Sequence, residues 1–306
     1  MARSSRRRRP RNSSPRPGTS ARALFSDRFS GTESGKRIMP LDYGVHTFGF
    51  VWNATAAEAI ARLADQGFRK FQLLASDPHF NIRDHGSTDW IALRNGIAAA
   101  GGKLVALDLP VGDYNLASPM PDVTEFAVGA YGRAIEAAAF LGSRYVTVSS
   151  GRKHALIAAT PGVLEDIVAD CLVRLADHAA ACGIRLLFEN HPIGVFPDAA
   201  SIRSMLDRCR RNNIDVVYDV ANARAIGEDP SAGLEMLKDR VRVIHLSDAD
   251  DGKWQHAPIG SGQIDFRPIL KTIEDLRFDG DVVIEIISEN PLADAVASRT
   301  RLQTLL

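Results

Sequence analysis

An alternation constrains this chain more than any other feature. From Asp42 onward, eight short apolar runs with strand character recur, separated by Ala- and Leu-rich stretches with helical spacing. The runs are YGVHTFGF (43–50), RKFQLL (69–74), KLVALDL (103–109), RYVTVSS (144–150), IRLLFEN (184–190), IDVVYDV (214–220), VRVIHLSD (241–248) and DVVIEI (281–286). Strands alternating with helices predict parallel βα units, and near-continuous apolar strands predict burial on both faces. Eight such units over about 265 residues match a closed (β/α)8 TIM barrel, a single α/β domain spanning residues 39–306. An open doubly wound sheet is the alternative, but the first βα turn lacks G-x-G-x-x-G, which weakens a dinucleotide-binding version of it. Helix punctuation agrees. Gly142 and Gly183 stand where C-caps want a residue tolerant of φ > 0, and Thr160-Pro161 reads as an N-cap and first helical residue.

The formal net charge of zero averages two unlike parts. Residues 1–37 hold 11 of the 37 Lys and Arg but only Asp27 and Glu33 of the acids, so this stretch is +9 and the remainder −9. The tail, with RSSRRRRPRNSSPRPGTSAR, has almost nothing apolar to bury and is expected to be disordered over residues 1–38. It can be read as an arm for a polyanion or membrane surface, as an organelle transit peptide, or as a stretch outside the native protein if translation starts at Met39. No apolar h-region follows the arginines, and no run of about 20 apolar residues is present to span a membrane. Cys171, Cys182 and Cys209 are odd in number and make no C-x-x-C, which fits buried thiols in a reducing compartment; a cytoplasmic location is expected.

A barrel carries its chemistry at the C-terminal ends of its strands. There the fifth run ends in Glu189, Asn190 and His191, the sixth in Asp219 followed by Asn222, the seventh in His245 and Asp248, and the eighth in Glu285. The opposite ends carry Arg185, Asp215, Arg242 and Asp281, read as a solvated rim. Three carboxylates brought to one rim repel unless a cation joins them, and a divalent metal supplies the missing charge. Oxygen-rich ligation with one His suits Mn²⁺ or Mg²⁺, with Co²⁺ or Zn²⁺ as alternatives. Each residue also has a plainer reading: a strand-end Glu can be a helix-facing ion pair, and a strand His can be a satisfied core residue.

The segments LLFENHP, DVVYDVANA, VRVIHLSDAD, HAPIGSGQIDF and DVVIEI resemble, in order and position, those of the xylose isomerase-like barrel superfamily. The resemblance covers roughly residues 40–300 and is strongest in the second half. It implies that Glu189, Asp219, His245 and Glu285 are metal ligands. It further implies a divalent-metal-dependent sugar or sugar-phosphate isomerase or epimerase that moves a proton next to a carbonyl through an enediolate, one of Glu189 and Glu285 removing the proton and the other returning it. A dehydratase of a keto-inositol or related keto-polyol shares the first step and is the alternative. Among the superfamily's other members are endonuclease IV-type phosphodiesterases. Against that branch, Ser149-Ser150-Gly151 stands where it would show His-Pro-Gly, Asn222 replaces a His, and the barrel portion is acidic. A sugar-binding barrel without catalysis is a further class.

Further candidates surround this set. His191, Asn222, Lys253 and His256 are expected to contact substrate, Lys253 on a loose alignment of DADDGKWQH. Gly260 and Gly262 would let a loop backbone approach a ligand. Arg152, Lys153 and His154 could hold a phosphate but read better as a solvated loop; His79, Trp52 and Phe80 could wall a sugar pocket or belong to the core. The expected partner is a small sugar or polyol, with neither membrane nor nucleic acid, and homo-oligomeric assembly is compatible with this reading.

Overall fold

The computed structural model describes residues 41–84, 86–160 and 162–305; the expectation for the tail at 1–38 lies outside the described residues. The first half runs β1 (Gly44–His46), α1 (Ala56–Asp65), β2 (Lys70–Leu74), α2 (Thr88–Ala99), β3 (Lys103–Asp108), α3 (Pro121–Leu141) and β4 (Tyr145–Val148). The second half begins with α4 (Val163–Ala181), β5 (Arg185–Glu189), α5 (Ala199–Cys209) and β6 (Ile214–Asp219), followed by α6 (Val220–Ala225) and α7 (Pro230–Leu237). It closes with β7 (Val241–Leu246), α8 (Phe266–Asp275), β8 (Asp281–Ile284) and α9 (Pro291–Gln303). All neighbouring strands are parallel, and β1 pairs with both β2 and β8, so the sheet closes into the eight-stranded TIM barrel that the alternation predicted.

Local chemistry sets the helix ends. Thr55 and Glu58 form a capping box on α1, and Asp198 with Ser201 forms one on α5. Gly142 caps α3 at φ 79°, as its position suggested. Two expectations are corrected. The helix expected to begin at Thr160-Pro161 starts at Val163, because Gly162 sits at φ 87° and breaks the helical path before it; Pro161 is not among the described residues. The first run is strand only over Gly44–His46, and Phe48–Phe50 is a 3-10 turn, tied back by the Phe48 N–H donating to His46 Nδ1 at 3.0 Å.

The barrel interior explains where the site lies. Residues two apart on a strand point to the same face. Glu189, Asp219, His245 and Glu285 therefore share the inside with Leu187, Val217, Val243 and Val283, which form a buried apolar layer beneath them. Helices cover the outside, packed on Leu186, Phe188, Val216 and Ile244. Beneath the apolar layer lies a second ionic layer, which corrects the reading of these strand starts as a solvated rim. Asp215 is 1% exposed, accepts from Arg185 Nε at 2.6 Å and lies 3.4 Å from Arg242. Asp281 is buried between Lys70 (3.1 Å) and Lys103 (2.9 Å). Charges placed inside a barrel persist only when paired, and here they are paired at its lower mouth. Among the described residues, no helix is long and apolar enough to cross a membrane.

Candidate active site

Glu189, Asp219, His245 and Glu285 are all buried, and each offers a ligand-type atom within 4.8 Å of the others. Their orientation is set locally. Asp219 caps α6: its Oδ1 accepts the Asn222 N–H at 2.6 Å, which leaves Oδ2 facing the cluster. Asn190 explains why an amide stands between Glu189 and His191. Its Oδ1 accepts the Asp219 N–H (2.7 Å) and its Nδ2 donates to the Asp219 carbonyl (2.9 Å), so it extends the ladder between β5 and β6 and holds Asp219 in register.

His245 is oriented from behind. Its Nε2 lies 2.9 Å from Gln72 Oε1, and the Gln72 amide nitrogen donates to Asp108 Oδ2 at 2.7 Å. His46 Nε2 bonds the same oxygen. Because a backbone N–H can only donate, His46 Nδ1 must accept from Phe48, and the proton sits on Nε2. By the same logic, Gln72 takes the His245 proton on Nε2 and leaves Nδ1 turned toward Glu285 Oε2 (3.0 Å), Glu189 (3.6 Å) and Asp219 (3.6 Å). His46 and Asp108 end β1 and β3, Gln72 lies at the middle of β2, and the sequence reading does not single them out. Their signal was a polar residue set into an apolar strand.

This arrangement fits a cation. His245 Nδ1, Asp219 Oδ2 and Glu285 Oε2 are buried and lack any hydrogen-bond partner, an expensive state that a shared metal would relieve. The electrostatics agree. Burial raises Glu189 to about 7, opposed by its contact with His245. Burial also disfavours the charged form of His245, but the carboxylates of Glu285, Asp219 and Glu189 outweigh it and hold the ring well above its ordinary value. For Glu285 burial is again the largest influence, overcome by His245, His256 and His46, which keep its carboxyl well below the usual range.

The cluster opens into a pocket of about 540 Å³. His191 and Asn222 line it, each with one buried unpartnered atom, Nδ1 and Oδ1. Burial lowers His191 to about 4, and its ring meets Trp254 edge-on with centroids 4.6 Å apart. His256 also lines the pocket, 3.0 Å from Ser247 Oγ and 3.6 Å from Glu285. Lys253 is not brought there: it is exposed, and its ammonium pairs with Asp250 at 2.7 Å within its own turn. Gly262 serves a different purpose from ligand approach. A Cβ on it would lie 2.5 Å from Asp248 Oδ1, a carboxylate that accepts the N–H groups of Ala249, Gly260 and Ile264. Arg152, Lys153 and His154 lie on an exposed loop. His79 is buried behind β1 and β2, bonded to the Ala54 carbonyl and Thr47 Oγ1. Phe80 stacks on Trp90 in the core, while Trp52 is exposed.

Residues 60–305 match the xylose isomerase-like TIM barrel family. The chain belongs to that family. An uncharacterized protein of Methanocaldococcus jannaschii is 23% identical over 282 residues, 90% of this chain and 92% of that protein. An inosose dehydratase of Lacticaseibacillus casei is 25% identical over 131 residues, covering 37% of this chain and 44% of the enzyme. A solved structure described as a D-tagatose 3-epimerase-like protein superposes with a TM-score of 0.77 at 22% identity, covering 87% of this chain and 97% of that one. That likeness is one of fold. Within the family, the relatives include epimerases and dehydratases of sugars and polyols.

Proposed function

We propose that this chain is a divalent-metal-dependent isomerase or epimerase of a sugar or sugar phosphate, acting by proton transfer next to a carbonyl through an enediolate. The observation that carries the reading is the convergence of Glu189 and Glu285, which line one pocket, with Asp219 and His245. Glu189, Asp219, His245 and Glu285 would hold the cation, Mn²⁺ or Mg²⁺ by their donor set, with Co²⁺ or Zn²⁺ as alternatives. When bound, such an ion supplies Lewis acidity toward a substrate oxygen. Glu189 and Glu285 are the acid–base pair, and their environments push their affinities for a proton in opposite directions, as proton removal and return require. His191, Asn222 and His256 supply hydrogen-bonding atoms for substrate hydroxyls.

The likeness to an inosose dehydratase supports a second outcome from the same first step, in which hydroxide leaves after proton removal. The proposed partner is a small sugar or polyol rather than nucleic acid, since residues 38–306 carry −9. Cytoplasmic residence is proposed from the three free cysteines. The test incubates Mn²⁺-loaded protein in heavy water with ketoses, their phosphates and keto-inositols, and looks for deuterium at carbon. Glu189→Gln should abolish incorporation while its circular dichroism stays that of the parent. An active Glu189→Gln enzyme sinks the assignment of that carboxylate as the base. Incorporation accompanied by loss of water selects the dehydratase.

A further inference from the structure

Asp108 is the buried carboxylate that the acid–base chemistry leaves unused. It ends β3, lines the pocket and is 7% exposed. Its two oxygens differ. Oδ2 is saturated by His46 Nε2 and Gln72 Nε2, whereas Oδ1 is buried without a partner. A buried carboxylate oxygen requires a donor, and the pocket is where one can come from. We propose that Asp108 is a specificity-determining residue that accepts a hydrogen bond from a hydroxyl of an uncharged polyhydroxy ketone, so that the substrate is a free sugar or keto-polyol rather than its phosphate ester. This inference rests on the proposed sugar chemistry and narrows it.

The chemistry of the two ligand types decides the sign. A hydroxyl donates, satisfying Oδ1 with a charge-assisted bond. A phosphate monoester near neutral pH brings about −1.5 to −2 charge and acceptor oxygens, so at this wall it meets like charge and no donor. The lining adds no permanently cationic side chain at this wall. Among the described residues that line the pocket, the acidic side chains are Asp108, Glu189 and Glu285, and no Lys or Arg joins them.

Asp108→Asn isolates the effect. The amide oxygen can still accept from His46 and Gln72, keeping the support behind His245, while the unpartnered atom changes from acceptor to donor. Calorimetric titration of the Mn²⁺-loaded full chain with D-fructose, D-tagatose and a keto-inositol, and with the 6-phosphates of the two ketoses, tests it. The parent should bind at least one neutral ligand roughly 10-fold or more tighter than a phosphate ester. Asp108→Asn should lose roughly 10- to 100-fold in affinity for that ligand and most of the discrimination, with Mn²⁺ affinity changed less than about threefold. Tighter binding of a phosphate ester by the parent, no binding of any neutral member, or an unchanged ratio in Asp108→Asn overturns the proposal. So does a loss in Asp108→Asn that tracks an equal loss of Mn²⁺ affinity, which would make Asp108 a support for His245 alone. Neutral ligands bound without deuterium exchange would refute the proposed reaction and leave Asp108 in place. Exchange with an unchanged ratio in Asp108→Asn would do the reverse.

Discussion

Asp248→Asn should loosen one side of the pocket without touching Glu189, Asp219, His245 or Glu285, and the structure sets the size of the effect. Asp248 is 1% exposed, two residues past β7, and its backbone pairs with Ala257 through two 2.8 Å hydrogen bonds. Its Oδ1 takes the N–H groups of Ala249 (2.9 Å) and Ile264 (3.0 Å), and its Oδ2 that of Gly260 (2.7 Å). The intervening segment carries Gln255, His256 and Ala257 into the pocket lining. With Asn at 248, the amide oxygen can retain Ala249 and Ile264 as neutral bonds, but the amide nitrogen then faces the Gly260 N–H, donor against donor. Losing one charge-assisted bond and stranding that donor costs about 2–3 kcal/mol, and discharging the other two adds about 1 kcal/mol. At about 2 cal/mol/K of unfolding entropy per residue over about 265 residues, that lowers Tm by about 6 °C. Thermal melting followed by circular dichroism reads the global effect, and amide hydrogen exchange read by mass spectrometry across residues 249–264 reads the local one. A Tm within about 1 °C of the parent, with unaltered exchange across that segment, would refute the claim that this carboxylate organises the loop.

Three further outcomes follow from the same structure. Metal binding should release protons: Glu189, raised to about 7 by burial, and His245, raised by the carboxylates around it, both hold protons that a cation must displace. Mn²⁺ affinity should therefore rise with pH up to about 7 by a factor of about 10 or more per unit, and titrations in buffers of different ionisation enthalpy that show no proton release would contradict this. In the metal-free protein, Glu189 keeps its proton when folded but loses it near 4.5 when unfolded, so its contribution to stability is full below pH 4.5 and is lost as pH rises toward 7; denaturation midpoints across that window measure it. At the lower mouth, Asp215→Ala leaves Arg185, Arg240 and Arg242 with backbone carbonyl partners alone and should cost about 2–3 kcal/mol in urea denaturation, a loss under about 1 kcal/mol showing that the arginines find solvent instead.

The upper layer of the barrel was legible because each of Glu189, Asp219, His245 and Glu285 interrupts an apolar run at its chemical end, where a polar side chain has no packing role to play. His46, Gln72 and Asp108 interrupt their runs in the same way but were passed over. Their meaning depends on closure: only when β1 meets β8 does His46 come within 3.8 Å of Glu285, and only across the barrel does Gln72 reach His245. Lys253 was drawn toward the substrate by alignment, yet a lysine three residues after an aspartate in a tight turn has a nearer partner than any ligand. The lower layer is the more instructive miss, because nothing beyond period-two alternation was needed to find it. Stepping down from Glu189 by two residues reaches Leu187 and then Arg185; from Asp219, Val217 and then Asp215; from Glu285, Val283 and then Asp281. If the first member of each series faces inward, so does the last, and an inward aspartate at the strand start must be paired rather than solvated. The pattern that located the candidate site thus also required the Arg185–Asp215 pair and the lysine-clamped Asp281 beneath it.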